Sequence, residues 1–182
     1  MDEFNRDDLF EIIYKKDDIL TYKIFREKEK RNAMKMLQYF TCHFRLDYHG
    51  VADLFEPTEQ IVDINKYQVC VISYIGTHSE RRIQLRQEFM KRIESKQITF
   101  GIINFVRSIE SKTTTIFTEP GSKAWINSLI KVDKNAVFID DSIDHINSLQ
   151  SMKIPGLQSK FFKGTKTNLI KLINDVTLSF NK

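Results

Sequence analysis

The chain has 182 residues, 41% of them hydrophobic and 29% charged, which is long enough for one domain with a proper core and too apolar for a disordered chain. The formal net charge of +4 suits an anionic substrate or nucleic acid, and a solvated surface rich in lysine explains it equally well. No apolar run approaches the roughly 20 residues of a membrane helix, and the acidic start Met1-Asp2-Glu3-Phe4-Asn5-Arg6-Asp7-Asp8 has no secretory pattern, so no membrane partner is expected and the cytoplasm is the default location.

Residues 1–36 are dense in charge: Asp7, Asp8, Lys15, Lys16, Asp17 and Asp18, then Arg26-Glu27-Lys28-Glu29-Lys30-Arg31. Leu9, Ile12 and Ile13 recur at helical spacing behind Asp7 and Asp8, which suit a helix start. The segment reads as a mostly helical appendage to a main domain at 37–182. Glu27 and Glu29 interrupt its positive run, which favours a solvated helix face over a nucleic-acid arm.

From Leu37 onward strands alternate with helices. Strands are expected at 39–46, 67–73 and 98–106, followed by a short continuous apolar strand at 136–139 and a brief fifth strand at 160–162. Helices are expected at 79–94, capped by Ser79, at 122–130 behind Pro120-Gly121, at 143–152, and at 165–180 with Leu169, Leu172, Ile173 and Val176 on one face. Cys42 and Cys70 fall inside predicted strands and read as buried thiols, and no CxxC motif is present. The alternation implies an α/β fold: a doubly wound, mainly parallel sheet with helices on both faces.

In an open parallel sheet, ligands bind at the carboxyl ends of the strands. Asp47, Ser73 and the pair Asp140-Asp141 each close a predicted strand, and Lys123 stands at a predicted helix start. A carboxylate can attack phosphorus and form an aspartyl-phosphate, dividing a difficult hydrolysis into two easier steps. The attack brings anions together, so Mg2+ held by one or two carboxylates suits the site, with a hydroxyl and an ammonium steadying the remaining phosphate oxygens.

The order Asp, Ser, Lys, Asp-Asp resembles the four motifs of the haloacid dehalogenase (HAD)-like hydrolase superfamily, across residues 37–182. Asp47-Tyr48-His49-Gly50-Val51 looks like the family's Asp-x-Asp-Gly-Thr/Val. Phospho-receiver domains use a similar set, but their acid pair comes first, whereas here it comes last. The resemblance implies a Rossmann-like HAD fold and Mg2+-dependent phosphatase activity. Asp47 would be the nucleophile, and Ser73 and Lys123 would bind the phosphoryl group. The metal would lie between Asp47, the backbone carbonyl of His49, and Asp140 or Asp141. Asp144 stands where some members place a further acid, or is simply a carboxylate at a helix start.

His49 occupies the position of the acid–base aspartate of the family's phosphatases. A working acid at His49 and a site with little or no turnover both stay open. The intervals from Asp47 to Ser73 and from 106 to 122 leave no room for a large cap domain. Capless members act on large or openly bound substrates, such as phosphoproteins or nucleic-acid ends. The alternatives are an impaired module of this fold that holds a phosphorylated partner or nucleic acid, and a magnesium nuclease without a nucleophilic aspartate. His43, His78 and His145 share no metal-ligand spacing and read as surface or structural residues. Trp125 and most of the 14 phenylalanines read as core.

Overall fold

The computed structural model describes residues 8–75, 79–105 and 121–182. Thr77, His78, residues 106–120 and the Ser79 side chain lie outside them. The elements are β1 (Asp8–Lys16), β2 (Ile19–Arg26), α1 (Lys30–Leu37), β3 (Phe44–Asp47), β4 (Val69–Ile75), α2 (Ser79–Glu94), β5 (Phe100–Phe105), α3 (Gly121–Leu129), β6 (Ala136–Asp140), α4 (Ile143–Gln150), β7 (Leu157–Phe161) and α5 (Lys166–Phe180).

The strands form one sheet in the order β2-β1-β5-β4-β3-β6-β7. β5, β4, β3, β6 and β7 are parallel neighbours. β3, β5 and β6 are buried along their whole length and β4 at every position but Tyr74, which is why they read as continuous apolar runs rather than alternating ones. One face packs Leu46, Val71, Ile103 and Ile139 against Leu85 and Phe89 of α2 and Leu169 and Ile173 of α5. The other face packs Ile72 and Ile102 against Leu37 of α1 and Ile126 of α3, and Phe138 against Ile146 of α4. Helices therefore cover both faces, as a Rossmann-like sheet requires. The chain runs outward from β3 to β4 and β5, then returns to lay β6 on the other side of β3. This reversal makes the crevice beyond β3 and β6 the topological switch point, where such sheets bind ligands.

The N-terminal segment departs from expectation. Residues 8–26 form two antiparallel strands rather than a helix, and β1 extends the sheet by pairing antiparallel with β5. Asp17 and Asp18 make the turn with φ of 52° and 64°, the two positive values a tight two-residue hairpin needs. β1 is buried on both sides, so it lacks strand alternation, and Leu9, Ile12 and Ile13 imitate a helical stripe. Among the described residues of the segment, α-helix is confined to α1.

The first expected strand also shortens. β3 begins at Phe44, because Phe40 is used as a loop anchor, its ring packed 4.3 Å from Phe100 and 5.9 Å from Tyr14. Between β3 and β4 the chain holds one short 3-10 turn (Ala52–Leu54) and no inserted domain. Arg92 pins this loop, donating to Phe55 O at 2.8 Å and to Gln97 Oε1 at 2.8 Å.

Candidate active site

Asp47 ends β3 and Asp140 ends β6, so the two parallel strands deliver both carboxylates to the switch point. Alternation puts Asp47 on the same face as Arg45, towards α3. Arg45 is fully buried and donates to Asn127 O at 2.8 Å, Ile130 O at 3.1 Å and Lys131 O at 3.1 Å. It thereby satisfies carbonyls left over at the end of α3 and clamps that helix to β3 two residues before Asp47. The first turn of α3 then carries Lys123 into the crevice.

Lys123 is 1% exposed, and its Nζ donates to Asp47 Oδ1 at 2.6 Å and to Asp140 Oδ2 at 2.8 Å. Tyr74 and Phe138 complete its surroundings, with ring centroids 5.2 Å and 5.9 Å from Nζ. Asp140 is held further by the backbone N–H of Ser142, 2.9 Å from Oδ1, and by His145 Nδ1, 3.1 Å from Oδ2. Asp141 is exposed, and a β-carbon at Gly50 would come within 2.6 Å of its Oδ2. Gly50 has φ of +82°, so the glycine both makes the turn after Asp47 and leaves space for the Asp141 carboxylate.

Burial works against the charge on Lys123, but Asp47 and Asp140 overcome it and raise the ammonium above its ordinary pKa. Burial raises Asp47 to about 7, with Asp140 and Asp141 adding to the rise and Lys123 opposing it. Burial opposes ionisation of Asp140 as well, yet the hydrogen bond from His145 and the charge of Lys123 bring it down to about 2. One ammonium thus faces three acids.

Asp47, Asp140 and Asp141 each offer an oxygen within 4.8 Å of the others. An all-oxygen donor set with an excess of negative charge fits a hard divalent cation such as Mg2+. Both oxygens of Asp140 already accept hydrogen bonds, so Asp141 is the acid of the pair that remains accessible.

The structure thus brings together Asp47, Lys123, Asp140 and Asp141. Ser73 is 1% exposed and pairs with Ile103, one residue beyond the Ile72–Asp47 register, which places it on the opposite pleat, towards α2. Among the described residues it makes no hydrogen bond to the Asp47–Lys123–Asp140 group. The His49 side chain points elsewhere: its Nδ1 lies 3.4 Å from Asp53 Oδ2, and Arg81 Nη2 lies against the ring, 3.2 Å from Nδ1. The ring is therefore not among the clustered ligands, and a contact through the residue 49 backbone carbonyl is independent of where the ring points. Asp144 lies in the first turn of α4.

His145, expected to be a surface or structural residue, is a buried member of the cluster. Its visible signal is its place in the apolar stripe of α4 beside Ile146 and Leu149, where a polar ring needs a partner. Arg45 carries a comparable signal, an arginine in the middle of an apolar strand.

Comparison with known protein families, with characterised proteins and with solved structures finds no match to this chain. Among the described residues no helix is long and apolar enough to cross a membrane.

Proposed function

We propose that the chain is a Mg2+-dependent phosphatase that hydrolyses phosphomonoesters through an aspartyl-phosphate on Asp47. The observation that carries this reading is the contact of Lys123 with Asp47 and Asp140, beside Asp141, at the switch point of the sheet. An oxygen of Asp47 bonds to phosphorus as the bond to the leaving oxygen breaks, and the leaving oxygen takes up a proton. Water then attacks the phosphorus, gives up a proton, and breaks the bond to Asp47, releasing inorganic phosphate and the free carboxylate. Lys123 keeps Asp47 oriented and offers positive charge to the phosphoryl oxygens. Asp47 and Asp141, with Asp140 beside them, would hold Mg2+, which when bound neutralises charge between nucleophile and phosphate. His49 lies in the turn after the nucleophile, and half of its side chain is open to solvent. A short β3–β4 connection without an inserted domain favours a large or openly bound substrate.

A second reading is an impaired module of this kind that binds a phosphorylated partner. The pairing of His49 with Asp53 and Arg81, rather than with the carboxylate cluster, favours it.

Phosphate release from p-nitrophenyl phosphate, with and without Mg2+, separates the two. Magnesium-dependent release that disappears in Asp47→Asn is the expected result. No release from the native chain, together with none from His49→Asp, would overturn the phosphatase reading in favour of binding alone.

A further inference from the structure

His145 has no counterpart in the motifs that identify the site. Its ring is 2% exposed, its Nδ1 lies 3.1 Å from Asp140 Oδ2, and the Tyr74 ring packs edge-on against it, centroids 5.0 Å apart at 82°. Its backbone is equally placed, because Ser142 caps α4 and accepts a bond from the His145 N–H at 3.4 Å. One oxygen of Asp140 therefore accepts from two side chains, Lys123 and His145, while the other accepts from the Ser142 N–H. An ionised carboxylate only accepts, so the histidine proton must sit on Nδ1.

Lys123 and the Ser142 N–H hold one oxygen each of Asp140, and His145 adds a second side-chain donor on the oxygen that faces Lys123. The Lys123 ammonium is shared between Asp140 and Asp47. Loss of the imidazole would leave Lys123 the single side-chain donor to Asp140 Oδ2, so the carboxylate would settle towards the ammonium and Lys123 would shift relative to Asp47.

We propose that His145 is a positioning residue: its Nδ1–H locks Asp140, and through Asp140 it aligns Lys123 with Asp47. The role of that alignment in turnover rests on the phosphatase reading. The alignment itself does not.

The test compares the native chain with His145→Leu, which fills the space without a donor, and His145→Asn, whose amide can replace Nδ1–H. Two measurements are made on each: kcat and KM for p-nitrophenyl phosphate with Mg2+, and side-chain NMR of the metal-free protein, following the His145 tautomer and the Lys123 ammonium. The expected result is an Nδ1-protonated ring in the native chain. His145→Leu should lose about tenfold or more in kcat with little change in KM, the usual scale for removing a partner that orients a site ligand. Its Lys123 resonance should move, and His145→Asn should restore both readouts. Three outcomes would overturn the proposal: an Nε2-protonated ring, a Leu variant with native kcat and an unmoved Lys123 signal, or equal impairment of Leu and Asn. The tautomer is read on the native chain, so a variant that fails to fold still leaves a decision. If the native chain releases no phosphate, the phosphatase reading fails, while movement of the Lys123 signal in Leu and its return in Asn would still support the positioning role.

Discussion

Two buried clusters of charge lie on opposite faces of the sheet, and they differ in balance. Under α2, Arg82 pairs with Asp8 at 3.0 Å and Arg86 with Glu11 at 2.8 Å, two bases for two acids. The guanidinium groups also stack on aromatic rings, Arg82 3.7 Å from the Phe105 centroid and Arg86 4.2 Å from that of Tyr22. At the ends of β3 and β6, one ammonium, Lys123, and the His145 ring on Asp140 face Asp47, Asp140 and Asp141. A balanced cluster fastens β1 to α2. An unbalanced one keeps a standing demand for positive charge, which is the electrostatic condition for binding a cation and the phosphate it accompanies. The same residue types serve adhesion in one place and, on the proposed reading, chemistry in the other, and the count of opposing charges separates the two.

The sharpest way to break that contrast is to remove one acid from the unbalanced side. Asp47→Asn should abolish phosphate release, a loss of about a thousandfold or more, because no other group can form the covalent intermediate. Its melting temperature should stay level or rise, since the change relieves repulsion among three carboxylates. A clear fall in melting temperature would show that the site cluster is structural like the other one.

Removing one base from the balanced side should do the opposite. Arg86→Ala leaves Glu11 buried without its main partner, at a cost of about 3 kcal/mol or more in unfolding free energy, read from the urea midpoint. Turnover in the protein that remains folded should be close to native.

A smaller effect comes from Gly50→Ala. The positive φ costs about 1–2 kcal/mol for any residue with a β-carbon. The added methyl must also displace the Asp141 carboxylate, so the variant should need more Mg2+ for half-maximal release. An unchanged Mg2+ requirement would remove Asp141 from the candidate metal site.

The smallest effect is a pH slope. Burial raises Glu11 above its ordinary 4.5, against the pull of Arg86 and Arg82. An acid raised on folding contributes stability that is fully present below its unfolded pKa and is lost as pH rises through the folded value. Melting temperature measured upward from pH 4.5 should therefore fall less steeply in Glu11→Gln than in the native chain. Parallel slopes would mean that Glu11 does not titrate against folding.

Much of this was legible in the residues. α2 spans 79–94 as its pattern implies, and β6 and α5 fall within a residue of expectation, because apolar runs and an N-cap such as Thr165 act locally. Asp47, Lys123 and Asp140-Asp141 could be singled out because each sits at the end of an element, and a parallel α/β sheet gathers such ends on one edge. β1 hides in the sequence because a strand buried on both sides shows no period of two.

The sequence by itself determined the α/β class, the run of strands and helices from 37 onward and the four polar positions at their ends, since these depend on neighbours a few residues away. Tertiary structure alone decided that β1 and β2 join the sheet and that Ser73 faces α2. It also decided that the His49 ring turns to Asp53 and Arg81, and that Arg45 and His145 brace the site from within. Those outcomes are set by partners distant in the chain, such as Lys131 for Arg45, 86 residues away, and by the burial that makes each polar atom seek one.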